Sequence, residues 1–87
     1  MAVNLRGKKY SLEWTRGSSK PYCTSPHRAK PRIVLAKHAV DEEMLYDAIH
    51  EGLHACLWDL DEEAVHETAE GLQSLLWALG FRRGSTD

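Results

Sequence analysis

The 87 residues make one domain at most, and their 43% hydrophobic and 28% charged content is that of an ordinary soluble globular chain. A net charge of −2 provides no overall basic field for nucleic acid, and no apolar run approaches the ~20 residues of a bilayer-spanning helix. Two cysteines, Cys23 and Cys56, do not make a secreted disulfide scaffold, and the N-terminal stretch lacks the apolar core of a signal peptide, so a reducing, cytoplasmic compartment is expected.

In chain order, residues 8–15, KKYSLEWT, alternate in part, with Tyr10, Leu12 and Trp14 on one side, and predict a strand. Residues 16–31 carry all three prolines together with Gly17, Ser18 and Ser19 and read as a Pro-rich basic loop. The β-branched run of residues 32–37, RIVLAK, predicts a second strand, which could pair antiparallel with the first. Lys8, Lys9, Arg16, Lys20, Arg28, Lys30, Arg32 and Lys37 all fall in this half.

The period then changes. Asp41 is a candidate N-cap, Glu42 and Glu43 suit a helix's first turn, and Leu45, Ile49, Leu53, Cys56 and Leu57 recur at helical spacing, predicting a helix over 41–58. Asp61 is a second N-cap candidate, and Val65, Ala69, Leu72, Leu76 and Leu79 carry a second helix over 61–80, with Gly80 as its stop. Residues 81–87 read as a loose tail. The expected fold is a single α+β domain of ββαα order, a strand pair packed on an antiparallel helical hairpin. Trp58 and Trp77 are expected to pack between the helices.

The first helix contains His50-Glu51-Gly52-Leu53-His54, the pattern H-E-x-x-H. Residues four apart project from one side of a helix, so two imidazoles can reach one tetrahedral zinc ion. A carboxylate one step on, Glu51, can reach a metal-bound water whose pKa the metal has pulled to about 7. A solvated pair of helix-flank histidines would satisfy the same spacing. Taking Ile49 as the centre of the apolar stripe, His50 lies about 100° and His54 about 140° round, on its flank.

A catalytic zinc needs a third protein ligand. A histidine six residues past His54 would fall at position 60, which is Leu60. The second helix opens with acids instead, and by ~100° steps from Val65, Glu62 lies near 60°, His66 near 100° and Glu63 near 160°. Glu62 is therefore the leading third ligand, Glu63 the alternative and His66 a weaker candidate or a partner to the ligands. Glu70 and Asp47 are candidates for orienting the ring of His50. Cys23 could occupy zinc's open position and hold the site latent.

The stretch IHEGLHACLWDLDEEAVHETAEGLQSLLWALGF, with a weaker echo in YCTSP, resembles the zinc-peptidase-like HExxH proteins, and most closely a small phage- and prophage-encoded family of that type. It is also similar to minimal gluzincins and to SprT-like domains. The resemblance implies Zn2+ at His50 and His54, Glu51 as general base, a glutamate of the next helix as third ligand, and a protein or peptide substrate inside a bacterial host cell. The expected function is that of a zinc-dependent metallohydrolase, a minimal metallopeptidase. The alternative is a non-catalytic, phage-encoded interaction module with a structural or vestigial zinc site. Its basic loop, residues 16–32, would then meet a host or phage protein or, weakly, nucleic acid.

Overall fold

A computed structural model describes residues 1–15 and 20–83. The elements run β1 (Ala2–Leu5), β2 (Lys8–Thr15), β3 (Tyr22–Cys23), β4 (Arg32–Ala36), α1 (Asp41–Cys56) and α2 (Glu62–Ala78). The strands form one mixed sheet in the order β1-β2-β4-β3. The fold is α+β, as expected, with two strands more than the sequence disclosed.

β1 and β2 form a hairpin closed by Arg6 and Gly7, both at positive φ (50° and 77°), with Leu5 paired to Lys8. Two consecutive positive φ angles make the tight hairpin turn whose twist matches that of the strands. Arginine is not a usual residue for its first position, so the sequence signal for this hairpin was weak.

The expected antiparallel pairing of β2 with β4 is corrected: the two run parallel, with Leu12 opposite Ile33 and Trp14 opposite Leu35. Parallel neighbours need a connection of roughly a dozen residues or more, and residues 16–31 supply it. Part of that stretch is not loop, because Tyr22 and Cys23 add an antiparallel edge strand on β4. Thr24 extends the pairing, donating its N–H to the Arg32 carbonyl (3.0 Å) and accepting the Arg32 N–H at Oγ1 (2.8 Å). Of the basic cluster, Arg32 is engaged on the outer face, 3.5 Å from Glu13 and over the Tyr22 ring, while Lys9, Lys20, Arg28 and Lys30 are exposed. Arg16 lies outside the described residues.

Alternation sends Tyr10, Ile33 and Leu35 to one face of the sheet, where they form the core with Met44 and Ala55 of α1. The side of α1 that meets the sheet thus carries Met44, Glu51 and Ala55, its only buried residues. Leu45, Ile49 and Leu53 lie on the opposite side of the helix and are left for α2. α2 contacts α1 and, among the described residues, no strand. The domain is therefore three layers deep, sheet, α1 and α2, with α1 apolar on two sides. His50 and His54 lie on the seam between those sides.

Two hydrogen bonds fix α1 lengthwise on the sheet. The buried Tyr10 hydroxyl donates to the Ala55 carbonyl (3.2 Å), and Arg6 Nη1 donates to the Cys56 carbonyl (2.7 Å). Both satisfy last-turn carbonyls that have no partner within the helix. α1 stops at Cys56, two residues before the predicted end, and Asp41 is its first helical residue rather than its cap; Val40 occupies the cap position and provides no side-chain bond.

After a turn closed by Leu60 N–H to Leu57 O (2.9 Å), Asp61 caps α2 as predicted, its Oδ1 accepting from Ala64 N–H (2.8 Å). Pairs across the hairpin, Gln73 with Glu42, His66 with Tyr46 and Glu62 with His50, show that the helices run antiparallel. α2 stops at Ala78, two residues before the predicted end, and Gly80, φ 94°, is the predicted stop: Gly80 N–H reaches Trp77 O (3.0 Å) and Phe81 N–H reaches Leu76 O (3.1 Å). This is the paired C-terminal cap that glycine favours.

The expectation of a loose tail fails for its first three residues. Arg82 lies 3.3 Å over the Trp77 ring, and Arg83 lies over Trp14 and donates to Lys37 O (3.2 Å). Residues 84–87 lie outside the described set. Replacing Tyr10 with Phe leaves the Ala55 carbonyl without its donor and should cost about 1–2 kcal/mol. Asp61→Ala should cost about 1 kcal/mol. Urea unfolding of the two variants at equal protein concentration checks both figures.

Candidate metal centre

α1 carries a ladder of rings at four-residue spacing: Tyr46, His50, His54 and Trp58. Neighbouring centroids lie 5.5, 4.8 and 6.3 Å apart, with Tyr46 stacked on His50 and the other two contacts edge-on. The two imidazoles in the middle are held between flanking aromatics and turned toward the start of α2. The tight turn and the Asp61 cap place Glu62 there as the first residue of α2. Its carboxylate sits at the positive end of the helix dipole.

The carboxylate spans both rings. Glu62 Oε1 lies 3.0 Å from His50 Nε2, and Oε2 lies 3.2 Å from His54 Nε2. Two ligands of one tetrahedral zinc, at bonds of roughly 2.05 Å, keep a separation of about 3.3 Å. Ligand atoms of His50, His54 and Glu62 all lie within 4.8 Å of one another, the only such trio of histidine, cysteine or acidic residues among those described. The donor set, two neutral nitrogens and one carboxylate oxygen, suits zinc and leaves a fourth position open.

Glu51 is the one buried charged residue among those described, 6% exposed. Its Oε2 lies 3.2 Å from His50 Nδ1. When His50 donates its Nδ1–H along that line, its Nε2 carries a lone pair and points at an oxygen of Glu62. Two acceptors 3.0 Å apart require a proton or a cation between them. In that tautomer Glu51 orients the ring, a part commonly played by a carboxylate behind a ligating histidine.

The other sequence candidates separate clearly. Glu63 is exposed and outside the trio. His66 is turned away, with Nδ1 2.6 Å from the Tyr46 hydroxyl and Nε2 3.7 Å from Glu70. Glu70 therefore pairs with His66 and not, as expected, with His50. Tyr46, which the sequence analysis did not single out, joins His66 to the ring stack. Its position four residues before His50 was the available signal. Burial, then the negative charges of Asp47, Glu70, Glu62 and Glu51, push its phenol upward, so it stays a donor. Asp47 is also raised, chiefly by burial and then by Glu43 and Glu51, with His50 acting in the opposite direction.

His50, Glu51 and His54 line a shallow hollow of about 270 Å3 with Pro21, Tyr22, Cys23 and Trp58. The edge strand β3 is one wall. Trp58 stands 39% exposed at the rim, past the end of α1, so its expected packing between the helices is corrected; Trp77 is partly buried, with Arg82 over its ring. The Cys23 thiol is pushed up to about 12 by burial and then by the charge of Glu51. It donates to Thr24 O (3.2 Å) and lies outside the ligand trio.

Trp58 also borders a second hollow, of about 530 Å3, walled by the β1–β2 turn and the end of α1. No helix is long and apolar enough to cross a membrane among the described residues. No family model, no curated protein and no solved structure matches this chain.

Titration calorimetry with Zn2+ should give one site per chain. Affinity should be lost in His54→Ala and fall at least tenfold in Glu62→Ala, and Glu63→Ala and His66→Ala should bind as the parent does. A strong chelator should lower the parent's melting temperature.

Proposed function

We propose that this chain is a small zinc-dependent metallohydrolase acting on peptide bonds. The observation that supports this most is the single carboxylate of Glu62 facing both Nε2 atoms of an H-E-x-x-H helix, beside a hollow that also contains the Glu51 carboxylate. His50, His54 and Glu62 would hold the metal. When bound, zinc supplies Lewis acidity for a carbonyl oxygen and acidity for a water.

The remaining chemistry belongs to side chains of this protein. Glu51, hydrogen-bonded through Oε2, has Oε1 for a proton from a water in the hollow, which it passes to the departing amine. An extended peptide can lie along the free edge of β3, with backbone groups meeting those of Tyr22 and Cys23. Burial of Glu51 against α1 and the sheet keeps the base in place. Two free cysteines accord with a reducing compartment such as the host cytoplasm.

A second reading has two specific observations in its favour. Glu51 is committed to His50 Nδ1 and the hollow is shallow. Both suit a zinc site that only stabilises a small domain, in an interaction module that meets a host or phage protein. Glu51→Gln separates the two. In the metallopeptidase, zinc-loaded parent cleaves a mixture of unstructured peptides, with new N-termini read by mass spectrometry, and Glu51→Gln lowers the rate at least ~100-fold while zinc content is unchanged. A parent with stoichiometric zinc and no cleavage leaves the interaction module as the answer.

A further inference from the structure

α2 carries a second apolar face that, among the described residues, nothing covers. Its buried residues, Val65 and Ala69, point at α1. Centred about 100° away, at ~100° per residue, lies a face made of Thr68, Gly71, Leu72, Leu75, Ala78 and Leu79. All six are exposed, and none is charged. Leu72 is 41%, Leu75 55% and Leu79 66% exposed, and Phe81, 58% exposed, continues the patch past the helix end. Apolar area from these four residues is on the order of 400 Å2, a size at which a monomer's largest patch commonly marks an interaction surface.

This face complements itself. About Leu75, a residue at position n meets the residue at 150 − n of an identical helix running the other way. Gly71 then opposes Leu79 and Leu72 opposes Ala78, a small residue against a large one in each pair, while Leu75 meets Leu75 on the axis. A Cβ built on Gly71 has nothing within 4 Å, so the slot for Leu79 is open. Glycine is unfavourable inside a helix, which makes a slot a physical reason for its presence there.

Charge selects the direction. α2 begins with Glu62, Glu63, Glu67 and Glu70 and is followed by Arg82 and Arg83. In the antiparallel pair the acidic first half of each helix faces the basic segment that follows the other, whereas a parallel pair would set acid against acid. We infer that α2 docks antiparallel on α2 of a second copy of this chain, about a two-fold axis at Leu75. A closed, two-fold contact uses the same patch on both copies. Its area, about 800 Å2 over the two copies, is that of a weak, transient association, so the dimer dissociates reversibly on dilution. Glu62 lies about 140° round the helix from Leu75, so the histidine side stays open in the dimer and the inference is independent of what that site does.

Sedimentation equilibrium from about 1 to 500 µM tests the contact. The parent should show a reversible monomer–dimer equilibrium. Leu75→Glu should be monomeric throughout. Gly71→Leu should raise the dissociation constant at least ~10-fold by filling the slot, yet melt no lower than the parent at concentrations where both are monomers, because leucine is the better helix former. Glu67→Lys should weaken the dimer by setting a cation toward the basic segment that follows the other helix. A parent that is monomeric up to 500 µM, or a Gly71→Leu protein that dimerises as tightly as the parent, overturns the inference, whatever other protein the face binds.

Discussion

The organisation of this protein depends on one constraint, that a carboxylate and two imidazole nitrogens converge across a tight turn. Glu62 is 70% exposed at its side chain, so packing does not hold it in place. Its position comes from the Leu57–Leu60 turn and the Asp61 cap, which start α2 opposite the second turn from the end of α1. Lengthening that turn by a residue would rotate α2 about 100° and carry the carboxylate away from the rings. The electrostatics are as local as the geometry: the facing lone pairs demand a cation or a proton, and Glu51, buried on the sheet side of α1, orients the ring of His50.

The three-layer arrangement explains why the histidines are accessible in so small a domain. α1 is the middle layer and must be apolar toward both the sheet and α2. A seam between those two sides is where a polar side chain can be held firmly and still reach solvent. His50 and His54 occupy that seam, Tyr46 and Trp58 extend it, and β3 walls it on the sheet side. The same layering leaves α2 covered on one side only, which is how an uncharged leucine face comes to be exposed at the outer surface.

Most elements were visible in the sequence because they rest on local physics. The change of hydrophobic period located both helices, each of which stops two residues before its predicted end. Asp61 and Gly80 marked the start and stop of α2 because a side-chain cap and a left-handed residue are local requirements. The strands were harder. β1 is short and its turn begins with arginine, β3 is two residues long within a proline-rich stretch, and the direction of β4 relative to β2 depends on a 16-residue connection that no local pattern encodes. The apolar stripe led to Ile49 as the centre of α1, whereas the buried residues are Met44, Glu51 and Ala55. A helix between two layers has two buried sides, and the one with small or polar residues gives no periodic signal.

By itself the sequence determined the residue types of the site and their helical spacing, since the four-residue step between His50 and His54, and between them and Tyr46 and Trp58, is fixed once the helix forms. It also narrowed the group that could face the two imidazoles to Glu62, Glu63 and His66 at the start of α2. Only the tertiary structure decided among Glu62, Glu63 and His66, because that choice depends on the rotation of one helix against the other. It likewise paired Glu70 with His66, turned Glu51 toward His50 Nδ1, and put Cys23 in the wall of the hollow. Each of these is a relation between residues far apart in the chain, and rotation and register between packed elements are set by the whole core and not by any one segment.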